Sequence, residues 1–139
     1  MSEPLLLDTH CWIWMQDGRT EEFSPQGKAA IQHAANEGHL LVSAISTWEV
    51  GMLESKGRIS LSIDCERWVD QALAMPGLRL VPLTPKIMIE STRLPGEFKG
   101  SLADYMLIAT ARVEGARLMT KDRRILTYGR SKHASVLHA

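Results

Sequence analysis

The sequence predicts an α/β fold with a central parallel sheet of about five short strands and helices on both faces. Apolar runs of three or four residues alternate along the chain with longer segments of helical character. Such alternation is typical of βαβ units, in which a helix carries the chain back to a neighbouring parallel strand. The length of 139 residues is that of one domain, so we assign residues 1–139 to a single domain.

Each predicted element rests on an apolar run, a capping residue or a glycine or proline stop. The strands are predicted at residues 5–7, 40–42, 79–81, 117–119 and 135–137. The helices are predicted at residues 24–36, 46–56, 65–75, 85–93 and 103–114. Ser24-Pro25 has the residue types of a helix N-cap and first turn, and Gly115 those of a helix stop. Residues 94–100, which contain a proline and two glycines, are predicted as a loop.

Composition narrows the possible location of the protein. The first apolar run stops after three residues with no basic region before it, so we expect no signal peptide. No apolar run approaches the roughly 18 residues that a membrane span requires, so we expect no membrane association. Cys11 and Cys65 lie far apart and form no CxxC pair, which indicates free thiols in a reducing compartment. We therefore expect a cytoplasmic protein.

Charge is balanced overall but uneven along the chain. The formal net charge is zero, which does not by itself indicate a nucleic-acid binder. Residues 121–139 carry five basic residues and one acid, a local net charge of +4. This basic end is consistent with a polyanion-binding surface, although charge alone favours an ordinary solvated surface.

Four acidic residues stand beside the predicted strand ends. Asp8 directly follows the first strand, and Glu49 lies in the first turn of the helix after the second strand. Asp104 opens the helix before the fourth strand, and Asp122 lies three residues after Met119. Because the carboxyl ends of parallel strands meet at one edge of a sheet, these side chains are expected to converge there.

Each acid also has a purely structural explanation. Ser46-x-x-Glu49 and Ser101-x-x-Asp104 match capping boxes, and the other two acids could each cap the segment that follows. Clustered carboxylates raise one another's pKa, however, and a divalent cation removes that repulsion. Hard carboxylate oxygens favour Mg²⁺ or Mn²⁺, whereas the histidines have no zinc-like spacing. The sequence contains no GxGxxG, Walker A or GxSxG motif.

Four separated stretches surround the acids. They are LLDTH at 6–10 with Trp14, VSAISTWE at 42–49, LPGEF at 94–98 with Ala103-Asp104 and IATA at 108–111, and LMTKDRRIL at 118–126. These stretches resemble the motifs of PIN-domain nucleases, most closely the VapC toxins of toxin–antitoxin modules. They extend over nearly the whole chain in the family's order and spacing. The resemblance implies a PIN-like domain and a metal-dependent endoribonuclease, the toxin of a type II toxin–antitoxin system.

By that resemblance, Asp8, Glu49, Asp104 and Asp122 are the catalytic and metal-binding acids, with Mg²⁺ or Mn²⁺ as cofactor. We expect Asp8 and Asp104 to bind metal directly, and the other two acids to act through water or to complete a second metal site. A metal-activated water would hydrolyse RNA to a 5′-phosphate and a 3′-hydroxyl. The family's polar positions beside the acids fall on Thr9, Ser46 and Thr120.

The third motif departs from the family pattern. Many relatives carry Asp-Pro-x-Asp-Arg where this chain has Ser101-Leu102-Ala103-Asp104-Tyr105, so a flanking carboxylate and a basic residue are missing. The departure bears on the number of metal ions and on the substrate contacts.

RNA contacts and partners are further expectations. Lys121, Arg123 and Arg124 are candidate phosphate contacts, and the tryptophans are more typical of packing than of base stacking. The family implies an RNA substrate, a cognate antitoxin and a homodimer. Two alternatives stay open: a PIN-like module that binds RNA or protein without cleavage, and a Mg²⁺-dependent phosphatase of small molecules. The missing Asp-x-Asp start weakens the phosphatase alternative.

Overall fold

The computed structural model describes residues 3–139 and, within them, five strands and seven α-helices. The strands are β1 (Leu5–Leu7), β2 (Leu40–Ser43), β3 (Leu78–Val81), β4 (Arg117–Thr120) and β5 (Ser135–His138). The helices are α1 (Thr9–Gln16), α2 (Pro25–Asn36), α3 (Ala44–Ser55), α4 (Cys65–Leu73), α5 (Pro85–Ser91), α6 (Leu102–Glu114) and α7 (Arg123–Arg130). None of the helices described in this range is long and apolar enough to cross a membrane.

The strands form one parallel sheet in the order β3-β2-β1-β4-β5, which confirms the predicted fold class. From β1 the chain builds β2 and β3 on one side, and it later places β4 and β5 on the other. The strand order therefore reverses between β1 and β4. In open parallel sheets a ligand crevice forms at such a reversal, beyond the carboxyl ends of the strands. Leu7 pairs with Met119 in the register, so Asp8 and Thr120 emerge there at the same level.

Successive strand residues pack into two separate apolar cores, one on each face of the sheet. Leu5 and Leu7 lie in the core beneath α1, α2 and α4, whereas Leu6 lies in the core beneath α5, α6 and α7. Helix α3 contributes to both, through Val50 on one side and Ile45 on the other. Alternation within a strand that is buried on both faces explains why the strands read as continuous apolar runs.

Capping residues set the helix starts largely as predicted. The Ser24 hydroxyl accepts from the backbone N–H of Gly27 at 3.0 Å, and Pro25 is the first residue of α2. Gly115 ends α6 with φ of 63°, the left-handed conformation that glycine adopts without a Cβ penalty.

Two parts of the helix prediction were wrong or incomplete. Helix α3 begins at Ala44, because Ser43 caps it by accepting from the backbone N–H of Ile45 at 3.1 Å. Glu49 consequently lies beyond the first turn. Helices α1 and α7 were not delimited from the sequence, although both directly follow a strand end that carries an acid.

Candidate active site

The ends of β1 and β4 are joined by a buried threonine. The Thr120 hydroxyl donates to Asp8 Oδ2 at 2.6 Å, and its oxygen accepts from the backbone N–H of Asp122 at 2.9 Å. The backbone N–H of Asp8 donates to the Met119 carbonyl at 3.0 Å, which continues the strand pairing by one residue. Thr120 is fully buried, so this polar residue fixes two of the predicted acids relative to each other.

Asp122 also caps α7. Its Oδ1 accepts from the backbone N–H groups of Arg124 at 2.8 Å and Ile125 at 3.4 Å. The N-cap interpretation of Asp122 is therefore confirmed. It is compatible with a place in the site, because the same side chain also lines the cleft described below.

Glu49, the second acid, lies on a helix that is joined to α1 through two buried hydroxyls. Thr9, at the start of α1, and Ser46, in α3, share a hydrogen bond of 2.8 Å and are both fully buried. This contact ties α1 to α3. Ser46 lies within α3, which begins at Ala44, so it is not the N-cap of its helix. The capping-box explanation of Glu49 is therefore wrong, since Ser43 holds that position. Glu49 stands one turn further along, partly buried beside Thr9.

Asp104 belongs to a true capping box at the start of α6. The Ser101 backbone N–H donates to Asp104 Oδ2 at 2.9 Å, and the Ser101 hydroxyl accepts from the Asp104 backbone N–H at 3.2 Å. The preceding Gly100 leaves room for this arrangement. A Cβ at residue 100 would lie 2.6 Å from Asp104 Oδ2 and 2.7 Å from the Phe98 ring. Sequence analysis predicted the capping box but did not identify Gly100.

The four acids line one cleft of about 300 Å³ at the carboxyl edge of the sheet. Its lining residues are Asp8, His10, Cys11, Trp14, Glu49, Ser101, Asp104, Lys121, Asp122 and Arg124. Lys121 and Arg124 are thus beside the acids, whereas Arg123, the third candidate phosphate contact, is exposed outside this lining. A larger open depression of about 820 Å³ lies against α5, α6 and β5, and its described lining includes none of the four acids.

The departures in the third motif have local explanations. Tyr105, where many relatives have arginine, donates its hydroxyl to the Phe98 carbonyl at 2.6 Å and packs edge-on against the Phe98 ring. It therefore fixes the loop that precedes α6. The guanidinium beside Asp104 comes from Arg124 of α7, whose Nη2 lies 3.3 Å from Asp104 Oδ2.

Burial dominates the electrostatics on the Asp8 side of the cleft. It raises the pKa of Asp8, against the hydrogen bond from Thr120 and the nearby His10, while the charge of Asp104 adds to the rise. Burial likewise raises the pKa of Glu49, against a hydrogen bond from Thr9, and the charges of Asp8 and Asp104 raise it further. These carboxylates therefore repel one another in a poorly solvated cleft.

The Asp122 side of the cleft is neutralised within the chain. Burial tends to raise the pKa of Asp122, but hydrogen bonds from the Arg124 side chain and from the backbone of Arg124 and Ile125 outweigh it, so the pKa is lowered. The Arg124 Nη2 lies 3.0 Å from Asp122 Oδ2. An internal cation thus balances this acid, unlike Asp8 and Glu49.

One wall of the cleft combines an aromatic ring with a lysine. The Lys121 ammonium lies 5.1 Å from the centre of the Trp14 ring and 3.4 Å from Glu22 Oε1. His10 and Trp14, four residues apart on α1, both line the cleft. Sequence analysis had favoured packing for Trp14. Its place in the cleft could have been found only from the α1 periodicity that follows Asp8.

The other tryptophans and the cleft cysteine behave mostly as predicted. Trp12 and Trp68 are buried, with ring centres 5.2 Å apart in an edge-on arrangement, so both are packing residues. Trp48 is 52% exposed. Cys11 is a buried free thiol whose pKa is raised by burial and then by the charge of Asp8, which disfavours the reactive thiolate.

The acids share a cleft but do not form a ready coordination shell. Among residues 3–139, no three His, Cys, Asp or Glu side chains are arranged to hold a metal ion. The donors nevertheless suit a hard divalent cation, because four of the lining side chains are carboxylates, which supply hard oxygen ligands. The contact of Arg124 with Asp104 occupies one of these oxygens.

Comparisons with known proteins agree with this architecture. A family model described as PIN domain matches residues 5–130. Ribonuclease VapC22 of Mycobacterium tuberculosis (strain ATCC 25618 / H37Rv) is 34% identical over 132 residues, which cover 95% of this chain and 97% of that protein.

Solved structures are similar in fold at lower identity. VapBC2 from Rickettsia felis, bound to a DNA fragment from its promoter, has a TM-score of 0.70 at 14% identity and covers 96% of this chain and 97% of its own. A toxin–antitoxin complex from Klebsiella pneumoniae has a TM-score of 0.57 at 18% identity, with 87% and 89% covered. The match to the family model and the alignment over nearly the whole chain show that this protein belongs to the PIN domain family.

Proposed function

We propose that this protein is a metal-dependent endoribonuclease that acts as the toxin of a type II toxin–antitoxin pair. The observation that carries the proposal is the convergence of Asp8, Glu49, Asp104 and Asp122 on one cleft at the strand-order reversal. Similarity to a protein named as a ribonuclease over 95% of the chain supports the activity. A structural neighbour that is a toxin–antitoxin complex supports the biological role.

The residues of the cleft fit Mg²⁺ or Mn²⁺. Their donors are carboxylate oxygens, and the raised pKa values of Asp8 and Glu49 reflect burial and repulsion that a cation would relieve. We assign Asp8 and Asp104 as direct ligands, with Glu49 and Asp122 acting through water or completing a second site. When bound, the cation lowers the pKa of a water molecule and neutralises charge on the phosphate.

The chain's own residues position the reaction. Thr120 holds Asp8 by its 2.6 Å hydrogen bond, and the Ser101 backbone holds Asp104. Glu49, whose pKa is raised, is the carboxylate that we assign to accept a proton from the attacking water. Water oxygen then bonds to phosphorus as the P–O3′ bond breaks, and the departing O3′ takes up a proton from solvent, which leaves a 5′-phosphate and a 3′-hydroxyl.

Two cations flank the acids and are the proposed substrate contacts. Lys121 is held beside Trp14 on the Asp8 side of the cleft, and Arg124 lies on the Asp122 side. Both can approach a phosphodiester from the cleft lining. Arg123 is the weaker candidate, since it lies outside that lining.

Partners and location complete the proposal. Exposed apolar side chains on α3, α5 and α6 offer a surface for a homodimer or for the antitoxin; they are Trp48, Met88, Ile89 and Leu102. Large exposed apolar side chains are candidates for such protein–protein contacts. The two free cysteines are consistent with the cytoplasm.

Cleavage of a mixed RNA pool tests the activity directly. The purified, antitoxin-free protein is incubated with Mn²⁺, with Mg²⁺ or with EDTA, and fragment ends are mapped by their 5′-phosphates. We expect metal-dependent cleavage that is lost in Asp104→Asn. The asparagine oxygen can still accept from the Ser101 backbone N–H, so the variant loses ligand charge while the capping box at the start of α6 is retained.

Asp70→Asn is the matched control. Asp70 is exposed on α4, outside the cleft, and its substitution removes the same negative charge as Asp104→Asn does. It should cleave like the wild type. RNA binding without cleavage in every metal would support the non-cleaving module instead. Hydrolysis of a generic phosphomonoester in preference to RNA would support a phosphatase.

A further inference from the structure

One guanidinium nitrogen joins two of the acids. Arg124 Nη2 lies 3.0 Å from Asp122 Oδ2 and 3.3 Å from Asp104 Oδ2. The two acids start different helices, α7 and α6, so this contact crosses the cleft rather than following the chain. Arg124 thus supplies a positive charge between two carboxylates.

We propose that Arg124 is a resident counter-ion that occupies Asp104 in the metal-free protein, is displaced from it by a divalent cation, and then binds substrate phosphate. The inference rests on the proposed function, because it concerns the metal site of that activity. Among the described residues no three ligands are arranged for a metal, and Arg124 contacts two of the four acids.

The ion pair between Arg124 and Asp104 is weak enough for a metal ion to replace it. The Arg124 side chain is 58% exposed, whereas that of Asp104 is only 12% exposed. An exposed cation loses little on leaving one carboxylate, because water solvates it at once. A buried carboxylate gains much from a divalent ion at short range. The free energy of the site is therefore expected to fall when a divalent ion replaces Arg124 at Asp104.

Displacement leaves the frame of the site intact. Asp122 keeps its bonds from the backbone N–H groups of Arg124 and Ile125, neither of which depends on the guanidinium. Asp104 keeps its bond from the Ser101 backbone. Only the side chain of Arg124 has to move.

The released guanidinium has a natural second partner. Guanidinium groups bind phosphate through paired hydrogen bonds, with a geometry that a lysine ammonium does not reproduce. Arg124 lines the same cleft as the acids, so a phosphodiester held there lies within its reach. Asp104 and the substrate phosphate would then be successive partners of this side chain.

Mn²⁺ binding without RNA tests the first exchange. The affinity is measured by calorimetry or by loss of the free-ion electron paramagnetic resonance signal, on wild type, Arg124→Gln and Arg123→Gln. We expect Arg124→Gln to bind Mn²⁺ about two- to fivefold more tightly, the range for removal of an exposed ion pair. Arg123→Gln removes the same charge one residue away, outside the cleft lining, and should change the affinity by less than half as much.

An unchanged or weaker Mn²⁺ affinity in Arg124→Gln would overturn the inference, as would an equal gain in Arg123→Gln. The second exchange is tested by measuring the affinity for an RNA oligonucleotide. Ca²⁺ replaces Mn²⁺ in this measurement, so that the RNA is bound but not cleaved. There Arg124→Gln should weaken RNA binding, and unchanged RNA affinity would overturn that part. Wild-type protein that binds Mn²⁺ but cleaves no RNA would refute the proposed nuclease while the Arg124 exchange stood.

Discussion

Thr120→Val should uncouple the two strand ends that carry the site. The substitution keeps the shape of the side chain but removes the hydroxyl that donates to Asp8 and accepts from the Asp122 backbone. A hydrogen bond to a charged group contributes about 1.5–3 kcal/mol, and a backbone N–H left without a partner costs about 1–3 kcal/mol. Because Asp122 is only partly buried, we take the low end of the second range and expect a loss of about 2.5–4 kcal/mol in unfolding free energy.

The same change should weaken the metal site. Thr120 lowers the pKa of Asp8 by its hydrogen bond, so its loss raises that pKa further and moves the half-point of Mn²⁺ binding to higher pH. Residues that orient a metal ligand typically contribute about 10- to 100-fold in affinity.

Urea unfolding and Mn²⁺ titration at several pH values measure the two effects. Thr110→Val is the matched control, since Thr110 is equally buried but donates only to the Met106 carbonyl within its own helix. It should lose about 1 kcal/mol and keep its metal affinity. If Thr120→Val lost no more stability than Thr110→Val and bound Mn²⁺ as the wild type does, the reasoning would be refuted.

Three further predictions follow from the cleft. Because the folded pKa values of Asp8 and Glu49 are raised, the contribution of these two groups to metal-free stability is fully present below their ordinary values of 3.8 and 4.5 and is lost as the pH rises through the folded values; urea unfolding of Asp8→Asn should show a flatter pH dependence. Gly100→Ala should lose about 1–3 kcal/mol and much of its Mn²⁺ affinity, because the new Cβ would displace Asp104 Oδ2. Lys121→Met should reduce the slope of log affinity against log salt by about 0.7 for single-stranded RNA, as expected for one lost phosphate contact.

Each of these has its own control. Asp70→Asn should leave the pH dependence as in the wild type, and a pH dependence of Asp8→Asn as steep as that of the wild type would contradict the prediction. Gly51→Ala adds a Cβ with nothing within 4 Å, so it should stabilise α3, and equal behaviour of the two alanine variants would contradict the packing argument. Lys86→Met removes an exposed lysine outside the cleft and should leave the salt slope unchanged.

The sequence predicted the strands well because strands that are buried on both faces must be apolar throughout. The run of Leu5 to Leu7 is an example, with both faces covered by helices. Parallel pairing then requires the residues after each strand to share an edge, which placed Asp8 and Asp122 together. The bounds of α1 were not predicted because apolar residues lie on nearly all sides of this helix. Those of α7 were not predicted because it is short and contains Gly129.

The site was predictable in its acids but not in its contacts. Acids after strand ends are a property of the local sequence, whereas the partner of Ser46 is Thr9, 37 residues away. The same holds for Arg124, whose contact with Asp104 depends on how the starts of α6 and α7 face each other. Exposed arginine side chains have no local pattern that fixes their conformation.

Among the described residues, the ion pairs that involve the four acids lie on the Asp122 side of the cleft, and this asymmetry bears on the order of binding. Asp122 has a lowered pKa and a guanidinium beside it, whereas burial and neighbouring charges raise the pKa of Asp8 and Glu49. The free energy released by adding positive charge is largest where repulsion is uncompensated, so the Asp8 side is the stronger attractor of a first cation. Asp104 borders both sides, and its release from Arg124 therefore couples neutralisation of Asp8 to the freeing of a phosphate-binding group.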